Sequence, residues 1–418
     1  MPRSTTLRSV AVAVTCALLS LPVAFAEPIE KRPFYLRNGD RVVFYGDSIT
    51  EQAHYTLPIE LYVRTRCPQL RVSFINSGWG GDRAWGGDGG MLEERLQRDV
   101  IAHRPTVVTV MLGMNDGYYT NFDSQGLAAF EERIDFLIAT LQHELPNVRI
   151  TLIGTSPYDN ITPGEQPEWE RGIERGYNSV VSRYAQGMRE IAARHKLTFV
   201  DMNAPLVDAL EKLQADEPSL ARELIPDRIH PGCAAGLLMA ARVLNVWNAP
   251  VREHVTRVTM EGDASMTVRV RQELPLPFPI DLSDQLTKRL AEFTPEMNVL
   301  GGNQLRVSGL RQAKARVAVE GAQLGEVPRA ELERGIDLAP PTSPLGKRAA
   351  AVVELAAAAH QLRFTGWRQL QIGVGDKQST PLQATRDELS AIATQLEKLA
   401  QKIACPVPSD IQISGIAE

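Results

Sequence analysis

The hydrophobic positions between residues 40 and 250 fall into short apolar runs that are separated by longer amphipathic stretches. Short apolar runs bounded by turn formers predict strands, whereas apolar residues that recur every three or four positions predict helices. Strands that alternate with helices indicate a parallel sheet with helices on both faces. The predicted strands are at 41–45, 72–75, 106–112, 149–153 and 197–200, and the main predicted helices are at 58–66, 127–145 and 177–195.

The pattern changes after residue 250, where apolar and polar positions alternate with a period of two. Such alternation predicts strands with one buried face, and the turn formers Gly262 and Asp263 separate the first two of them. Alanine- and leucine-rich patterns near the C-terminus predict helices. The predicted strands are at 255–259, 266–270, 304–307 and 315–319, and the predicted helices are at 344–360 and 386–403. We therefore expect a smaller β-rich region and C-terminal helices in addition to the parallel sheet.

The N-terminus has the layout of a cleaved secretory signal. Arg3 and Arg8 precede an apolar run from Val10 to about Val23, and an A-x-A pattern ends at Ala26. The apolar run is short for a membrane span of about 20 residues. We therefore expect an exported protein, periplasmic or secreted, with no stable membrane anchor.

Composition excludes some function classes. The 418 residues carry a formal net charge of −5, without the basic excess that is typical of nucleic-acid binders. The seven histidines are scattered and lack the spacing of a zinc site, so no metal or cofactor is predicted. Cys67, Cys233 and Cys405 follow the signal, and three cysteines allow at most one internal disulfide. The pairing and the oligomeric state stay open.

A serine nucleophile is the first candidate for chemistry. Ser48 lies in the segment Gly-Asp-Ser-Ile-Thr, after a predicted strand and before a predicted helix. A tight turn at that point would expose the hydroxyl, and the helix N-terminus would favour negative charge nearby. By itself this segment is explained equally well by a helix cap.

Two further segments could supply hydrogen-bond donors to an oxyanion. Residues 76–82 read Asn-Ser-Gly-Trp-Gly-Gly-Asp, where the backbone amide of Gly81 could approach a ligand closely. Residues 113–116 read Gly-Met-Asn-Asp, where the side-chain amide of Asn115 is a second donor. Taken alone, each segment is also compatible with an ordinary loop or turn.

A general base is predicted far downstream, in the segment Asp-Arg-Ile-His-Pro at residues 227–231. His230 is the side-chain type best suited to accept a hydroxyl proton near neutral pH, and Asp227 could fold back to orient its ring. Ser48, His230, Asp227 and the two donors together form the set of groups that acyl transfer requires.

These four segments, in this order, resemble the sequence blocks of the GDSL esterases, also called SGNH hydrolases. The resemblance covers roughly residues 40–245, and Ile49 stands where the family has its namesake leucine. It implies a flavodoxin-like three-layer α/β/α sandwich with a parallel sheet. It also implies Ser48 as nucleophile, Asp227 and His230 as its partners, and Ser48, Gly81 and Asn115 as oxyanion donors.

On this basis the chain divides into four predicted parts. They are a signal peptide at 1–26, a catalytic domain at 27–250, a β-rich accessory domain at 251–340 and a helical C-terminal segment at 341–418. The C-terminal third does not match the minimal family domain, and no motif assigns it a role.

The sequence gives weaker indications of the substrate. Aromatic side chains near the predicted site can stack on sugars, although they can equally be packing residues. The candidates are Trp79, Trp85, Tyr118 and Tyr119. The charged stretch at 168–175 is interpreted as a solvated helix face. Export and an acidic surface favour a short-chain, acetyl-type ester on a polysaccharide. The alternatives are a lipid or thioester substrate, or a non-catalytic glycan-binding protein.

Overall fold

A five-stranded parallel sheet lies at the centre of the N-terminal part of the protein. The computed structural model describes residues 33–250, 254–260, 267–281, 283–372 and 380–416. The sheet has the strand order β2-β1-β5-β6-β7, and all of its neighbouring strands are parallel. The strands of this part are β1 Arg41–Gly46, β2 Ser73–Gly78, β3 Gly86–Gly87, β4 Gly90–Met91, β5 Val107–Leu112, β6 Arg149–Gly154 and β7 Thr198–Asp201.

Helices cover the sheet, with α2 packed on α8 and α4 packed on α5. Every residue of the central strand β5 is buried, as its unbroken apolar run predicts. The α/β/α sandwich expected from the sequence is therefore confirmed. The helices of this part are α1 Ser48–Glu51, α2 Thr56–Arg66, α3 Leu92–Arg95, α4 Ser124–Glu144, α5 Asn178–His195, α6 Asn203–Asp216, α7 Pro218–Leu224 and α8 Cys233–Val246.

Two smaller sheets follow. Strands β13, β10 and β8 form one, and strands β12, β11, β14 and β9 form the other, which is antiparallel throughout. Within the described residues β8 and β9 thus belong to different sheets. The turn predicted at Gly262 and Asp263 lies outside the described residues. The signal peptide predicted at 1–26 also lies outside them. The elements are β8 His254–Thr259, β9 Thr267–Leu274, α9 Gln285–Phe293, β10 Asn303–Ser308, β11 Lys314–Val319, β12 Ala322–Pro328, α10 Arg329–Arg334 and β13 Ile336–Asp337.

The C-terminal segment forms a pair of long helices and then a strand. Helix α11 (Pro344–Phe364) continues into a wider π-helical turn (Thr365–Ile372), and α12 (Thr380–Ala404) packs back on α11. Both helices contact α2 of the sandwich. We call the helices α11 and α12 with the π-helical turn the C-terminal helix pair. Among the described residues, no helix has both the length and the apolar character needed to cross a membrane.

The segment predicted as helical at 341–418 differs from that expectation at its end. Strand β14 (Val407–Gly415) pairs with β9 on one side and with β11 on the other. Its apolar residues Ile411 and Ile413 are buried at alternate positions, which is a strand pattern that the preceding helical periodicity obscures. The β-rich region and the C-terminal segment therefore share one sheet.

Candidate active site

Ser48 lies at the carboxyl end of β1, as the first residue of the short helix α1. The side chain of Asp47 caps this helix by accepting a hydrogen bond from the Ile49 amide at 3.0 Å. Gly78, at the end of the neighbouring strand β2, packs directly against α1, and a Cβ at this position would lie 2.2 Å from the backbone nitrogen of Glu51. Glycine is therefore required where the second site segment leaves the sheet beside Ser48.

His230 and Asp227 come from the loop between α7 and α8. The Asp227 carboxylate accepts hydrogen bonds from the backbone amides of Ile229 and His230, at 3.0 and 2.7 Å, which folds the loop into a tight turn. The loop is tied to the sandwich because the Asp159 amide donates to the Arg228 carbonyl at 2.8 Å. The Asp-x-x-His spacing thus brings the carboxylate back onto the imidazole.

The two segments meet in a chain of two hydrogen bonds. The Ser48 Oγ lies 2.8 Å from His230 Nε2, and His230 Nδ1 lies 2.6 Å from the second Asp227 oxygen. Desolvation raises the pKa of Asp227, but hydrogen bonds from the backbone and ring of His230 and from the Ile229 amide outweigh it and hold this pKa below its usual value. A charged Asp227 favours the tautomer in which Nδ1 donates and Nε2 accepts.

Two of the three expected oxyanion donors are the backbone N–H groups of Ser48 and Gly81. Among the described residues, neither the Ser48 nor the Gly81 backbone N–H has a hydrogen-bond acceptor. Gly81 has φ +74°, a left-handed conformation that favours glycine, although a Cβ there would meet no neighbour. A Cβ on the adjacent Gly80 would lie 4.0 Å from the Ser48 Cβ, which places this loop directly beside the serine.

Asn115 is the third donor. Its Nδ2 donates to the Asp82 carbonyl at 3.1 Å, which leaves one amide hydrogen unused. Its Oδ1 accepts from the Tyr119 hydroxyl at 2.9 Å. These two contacts fix the orientation of the amide group, so Tyr119 orients Asn115.

Buried charges hold the loop at residues 79–84, which we call the oxyanion loop. Asp82 is fully buried and forms an ion pair with Arg95 at 3.0 Å, and Arg95 forms a second pair with Asp99 at 2.6 Å. The Ala84 amide donates to Asp116 at 2.8 Å. The loop is thus tied to α3, to the helical residues that follow it and to the Asn115 segment.

Two carboxyl groups beneath the site have strongly raised pKa values. Burial raises the pKa of Asp47 to about 8, with further contributions from Asp116 and Asp82. Burial likewise raises the pKa of Asp116 to about 7. Each of these side chains has one buried oxygen without a hydrogen-bond partner among the described residues, so the protonated, uncharged form of both carboxyl groups is favoured.

The four aromatic candidates have different surroundings. Trp79 is 7% exposed and its ring packs against the guanidinium groups of Arg95 and Arg368, so it offers a substrate almost no surface. Trp85 and Tyr118 are exposed, and each stacks with an arginine, Arg133 and Arg83 respectively. Tyr119 is half-buried and stacks on Tyr177.

Several residues that lie around the candidate active site were not singled out from the sequence. Trp169 is partly exposed and packs edge-on against Tyr119, with ring centroids 5.0 Å apart. It lies in the stretch interpreted as a solvated helix face, but Glu170 in that stretch is buried and accepts a hydrogen bond from the Tyr158 hydroxyl at 2.8 Å. The contact with Tyr158 accounts for the burial of Glu170, and the alternating charges of this stretch do not indicate it.

The C-terminal helix pair also reaches the site, which no motif indicated. Arg368 lies 3.1 Å from Glu51 of α1, and its guanidinium lies 3.4 Å from the ring centroid of Trp79. A cavity of about 220 Å³ lies between this helix pair and the sandwich, with Trp367 and Asn76 among its lining residues. Ser48 and His230 do not line it, so it is separate from the candidate active site.

Comparisons with known proteins identify relatives of the N-terminal part of the chain. Residues 44–235 match the model of the GDSL-like lipase/acylhydrolase family. An acetylxylan esterase of Geobacillus stearothermophilus is 24% identical over 226 residues, which are 50% of this chain and 93% of that esterase.

A solved structure extends the likeness beyond the family domain. A gut microbial diltiazem-metabolizing enzyme has a TM-score of 0.75 at 24% identity, over 91% of this chain and 98% of its own. At this identity the likeness concerns the fold alone, and at this coverage it includes most of the β-rich region and the C-terminal helix pair.

Proposed function

We propose that this protein, a carboxylic ester hydrolase whose residues 44–235 belong to the GDSL-like lipase/acylhydrolase family, removes short acyl groups, above all acetyl groups, from carbohydrates. The reaction proceeds through an acyl-enzyme on Ser48. The observation that carries the proposal is the chain of two hydrogen bonds from Ser48 through His230 to Asp227.

Acylation begins when the Ser48 Oγ attacks the ester carbonyl carbon and His230 Nε2 accepts the hydroxyl proton. The carbonyl oxygen becomes an oxyanion that faces the amides of Ser48 and Gly81 and the side chain of Asn115. Asp227 stabilises the imidazolium. When the tetrahedral intermediate collapses, the bond to the leaving alcohol breaks and Nε2 returns the proton to that alcohol.

Deacylation repeats these steps with water. His230 removes a proton from the water as its oxygen attacks the acyl carbon, and the same three donors face the new oxyanion. Collapse releases the carboxylic acid and restores the Ser48 hydroxyl. Each proton that Nε2 accepts is returned, so no cofactor is required.

Two observations support a carbohydrate ester. The relative from Geobacillus stearothermophilus is an acetylxylan esterase. The exposed rings of Trp85, Tyr118 and Trp169 provide flat apolar surfaces of the kind that stack on sugars. Trp79 is left out of this surface because it is buried. The signal-like layout of residues 1–26 supports export, which is part of the proposal.

The test is acetate release from acetylated xylan and other acetylated polysaccharides, with Ser48→Ala as the control. We expect release from at least one glycan and none from the variant. Serine-dependent cleavage of aryl esters, with no release from any glycan, would overturn the carbohydrate substrate and leave a lipid, thioester or small ester. Activity that survives in Ser48→Ala would overturn the mechanism.

A further inference from the structure

Two adjacent residues of the C-terminal helix pair contact the oxyanion loop, although they are more than 280 positions away from it in sequence. The Trp367 ring packs edge-on against Trp79, with centroids 5.8 Å apart, and its Nε1 donates to Asp99 at 2.7 Å. Arg368 stacks over Trp79 at 3.4 Å. Because Trp79 directly precedes Gly80 and Gly81, both contacts fix the start of the oxyanion loop.

Glu51 links Arg368 to Gly80, the residue before the proposed oxyanion donor Gly81. One of its carboxylate oxygens lies 3.1 Å from the Arg368 guanidinium, and the other accepts the Gly80 amide at 2.6 Å. Glu51 is on α1, three residues after Ser48, so it bridges the nucleophile's helix, the oxyanion loop and the C-terminal helix pair. Each side chain of the ion pair is only 21% exposed, which strengthens the pair relative to one in open solvent.

We propose that Arg368 is a positioning residue for the oxyanion hole: by holding Glu51 in place, it fixes the Gly80 peptide and therefore the direction of the Gly81 amide. The inference rests on the proposed function. It assigns the C-terminal helix pair a part in catalysis, because this helix pair supplies the contacts that hold Glu51 and Trp79.

The chemistry of the loop explains why such support is needed. Two consecutive glycines leave the backbone at 80–81 with little intrinsic conformational preference. An oxyanion donor stabilises the transition state only if it is already aimed at the place where charge develops. Within the described residues the Gly80 amide is held by the Glu51 carboxylate alone, and that carboxylate is held on its far side by Arg368.

The test compares four variants on p-nitrophenyl acetate. We expect Arg368→Ala to lower kcat by roughly tenfold or more while KM changes by less than about twofold, because the lost alignment matters only in the transition state. Arg368→Lys, which keeps the charge, should recover part of the loss. Glu51→Gln should also lower kcat, and the double variant with Arg368→Ala should be no worse than the more impaired single variant.

Arg363→Ala is the matched control. Arg363 is on the same helix pair and forms an ion pair with Glu397 at 2.8 Å, but it does not contact the oxyanion loop. We expect it to lower the melting temperature with kcat within about twofold of wild type. An equal loss of kcat in Arg363→Ala, or an unchanged kcat in Arg368→Ala, would overturn the inference.

Two further measurements keep the outcomes separate. If Arg368→Ala does not fold, Glu51→Gln decides, and an unchanged kcat in that variant overturns the inference. Ser48→Ala is measured in parallel: if it keeps its activity, the proposed function fails, whereas inactive Ser48→Ala together with fully active Arg368→Ala contradicts only the role of Arg368.

Discussion

The two sides of Ser48 are built differently. On the donor side, Asp82 is fully buried and paired with Arg95, whose guanidinium lies over the rings of Tyr45 and Trp79. On the base side, the Asp227 side chain is 57% exposed and lies in a loop. Donors must be fixed before charge develops, whereas a base that exchanges protons with water and alcohols must stay accessible. The buried ion pairs therefore lie on the side of Ser48 where the alignment of donors matters most.

The largest effect is expected on the donor side. Asn115→Ala removes one oxyanion donor and should lower kcat by roughly 10²–10³-fold with KM little changed. Steady-state kinetics with an aryl acetate measure this directly. A loss below about tenfold would show that the backbone amides of Ser48 and Gly81 suffice.

A smaller effect is expected on the base side. Asp227→Ala should lower kcat by roughly 10–10²-fold, because the Asp227 side chain is 57% exposed and water can take its place as the acceptor for His230 Nδ1. Enzymes with a buried triad aspartate lose roughly 10⁴-fold on a comparable change. A loss of that size here would contradict the contrast between the two sides.

The buried carboxyl groups of the donor side should make the protein less stable as the pH rises. The pKa of Asp47 is raised to about 8, so between pH 5 and 7 the unfolded state has lost a proton that the folded state keeps. The pKa of Asp116, raised to about 7, acts in the same direction. Asp227 acts oppositely, since its pKa is lowered, and its contribution is lost only as the pH falls below about 4.

Urea unfolding at pH 5 and pH 7 checks this expectation. Asp47→Asn should lose roughly 2 kcal/mol less free energy of unfolding between these pH values than wild type. Asp123→Asn is the matched control, because Asp123 also caps a helix but is exposed. Equal pH dependence in wild type and Asp47→Asn would show that Asp47 is charged in the folded protein.

The smallest effect tests a single hydrogen bond of the donor side. Tyr119→Phe keeps the ring stacked on Tyr177 and removes only the hydroxyl that donates to Asn115. We expect kcat to fall about fivefold, which corresponds to the roughly 1 kcal/mol of a typical hydrogen bond. If kcat is unchanged in Tyr119→Phe while Asn115→Ala is impaired, Asn115 is oriented by Asp82 alone.

The sequence predicts the base side more completely than the donor side. Asp227 and His230 are three positions apart, and a local turn is enough to join them. Ser48, Gly81 and Asn115 each follow a strand, and parallel strands bring their carboxyl ends together at one edge. The motifs therefore predict the three residues that the two hydrogen bonds join, together with the order of strands and helices.

The supports of the oxyanion loop could not be found in this way. Trp367 and Arg368 depend on how the C-terminal helix pair packs against α2, which no local pattern encodes. Glu170 is buried because of Tyr158, and its alternating charged neighbours conceal this. Trp79 satisfies the pattern of a substrate-binding ring, but its packing against Trp367 buries it. These features arise from tertiary contacts between distant segments.

The most direct test of the central claim is covalent labelling of the full chain with a fluorophosphonate, followed by mass spectrometry of the peptides. We expect one adduct per chain, on Ser48, with labelling much slower in His230→Ala and absent in Ser48→Ala. An adduct on another residue, or unchanged labelling in His230→Ala, would contradict the assignment of Ser48 and His230 as nucleophile and base.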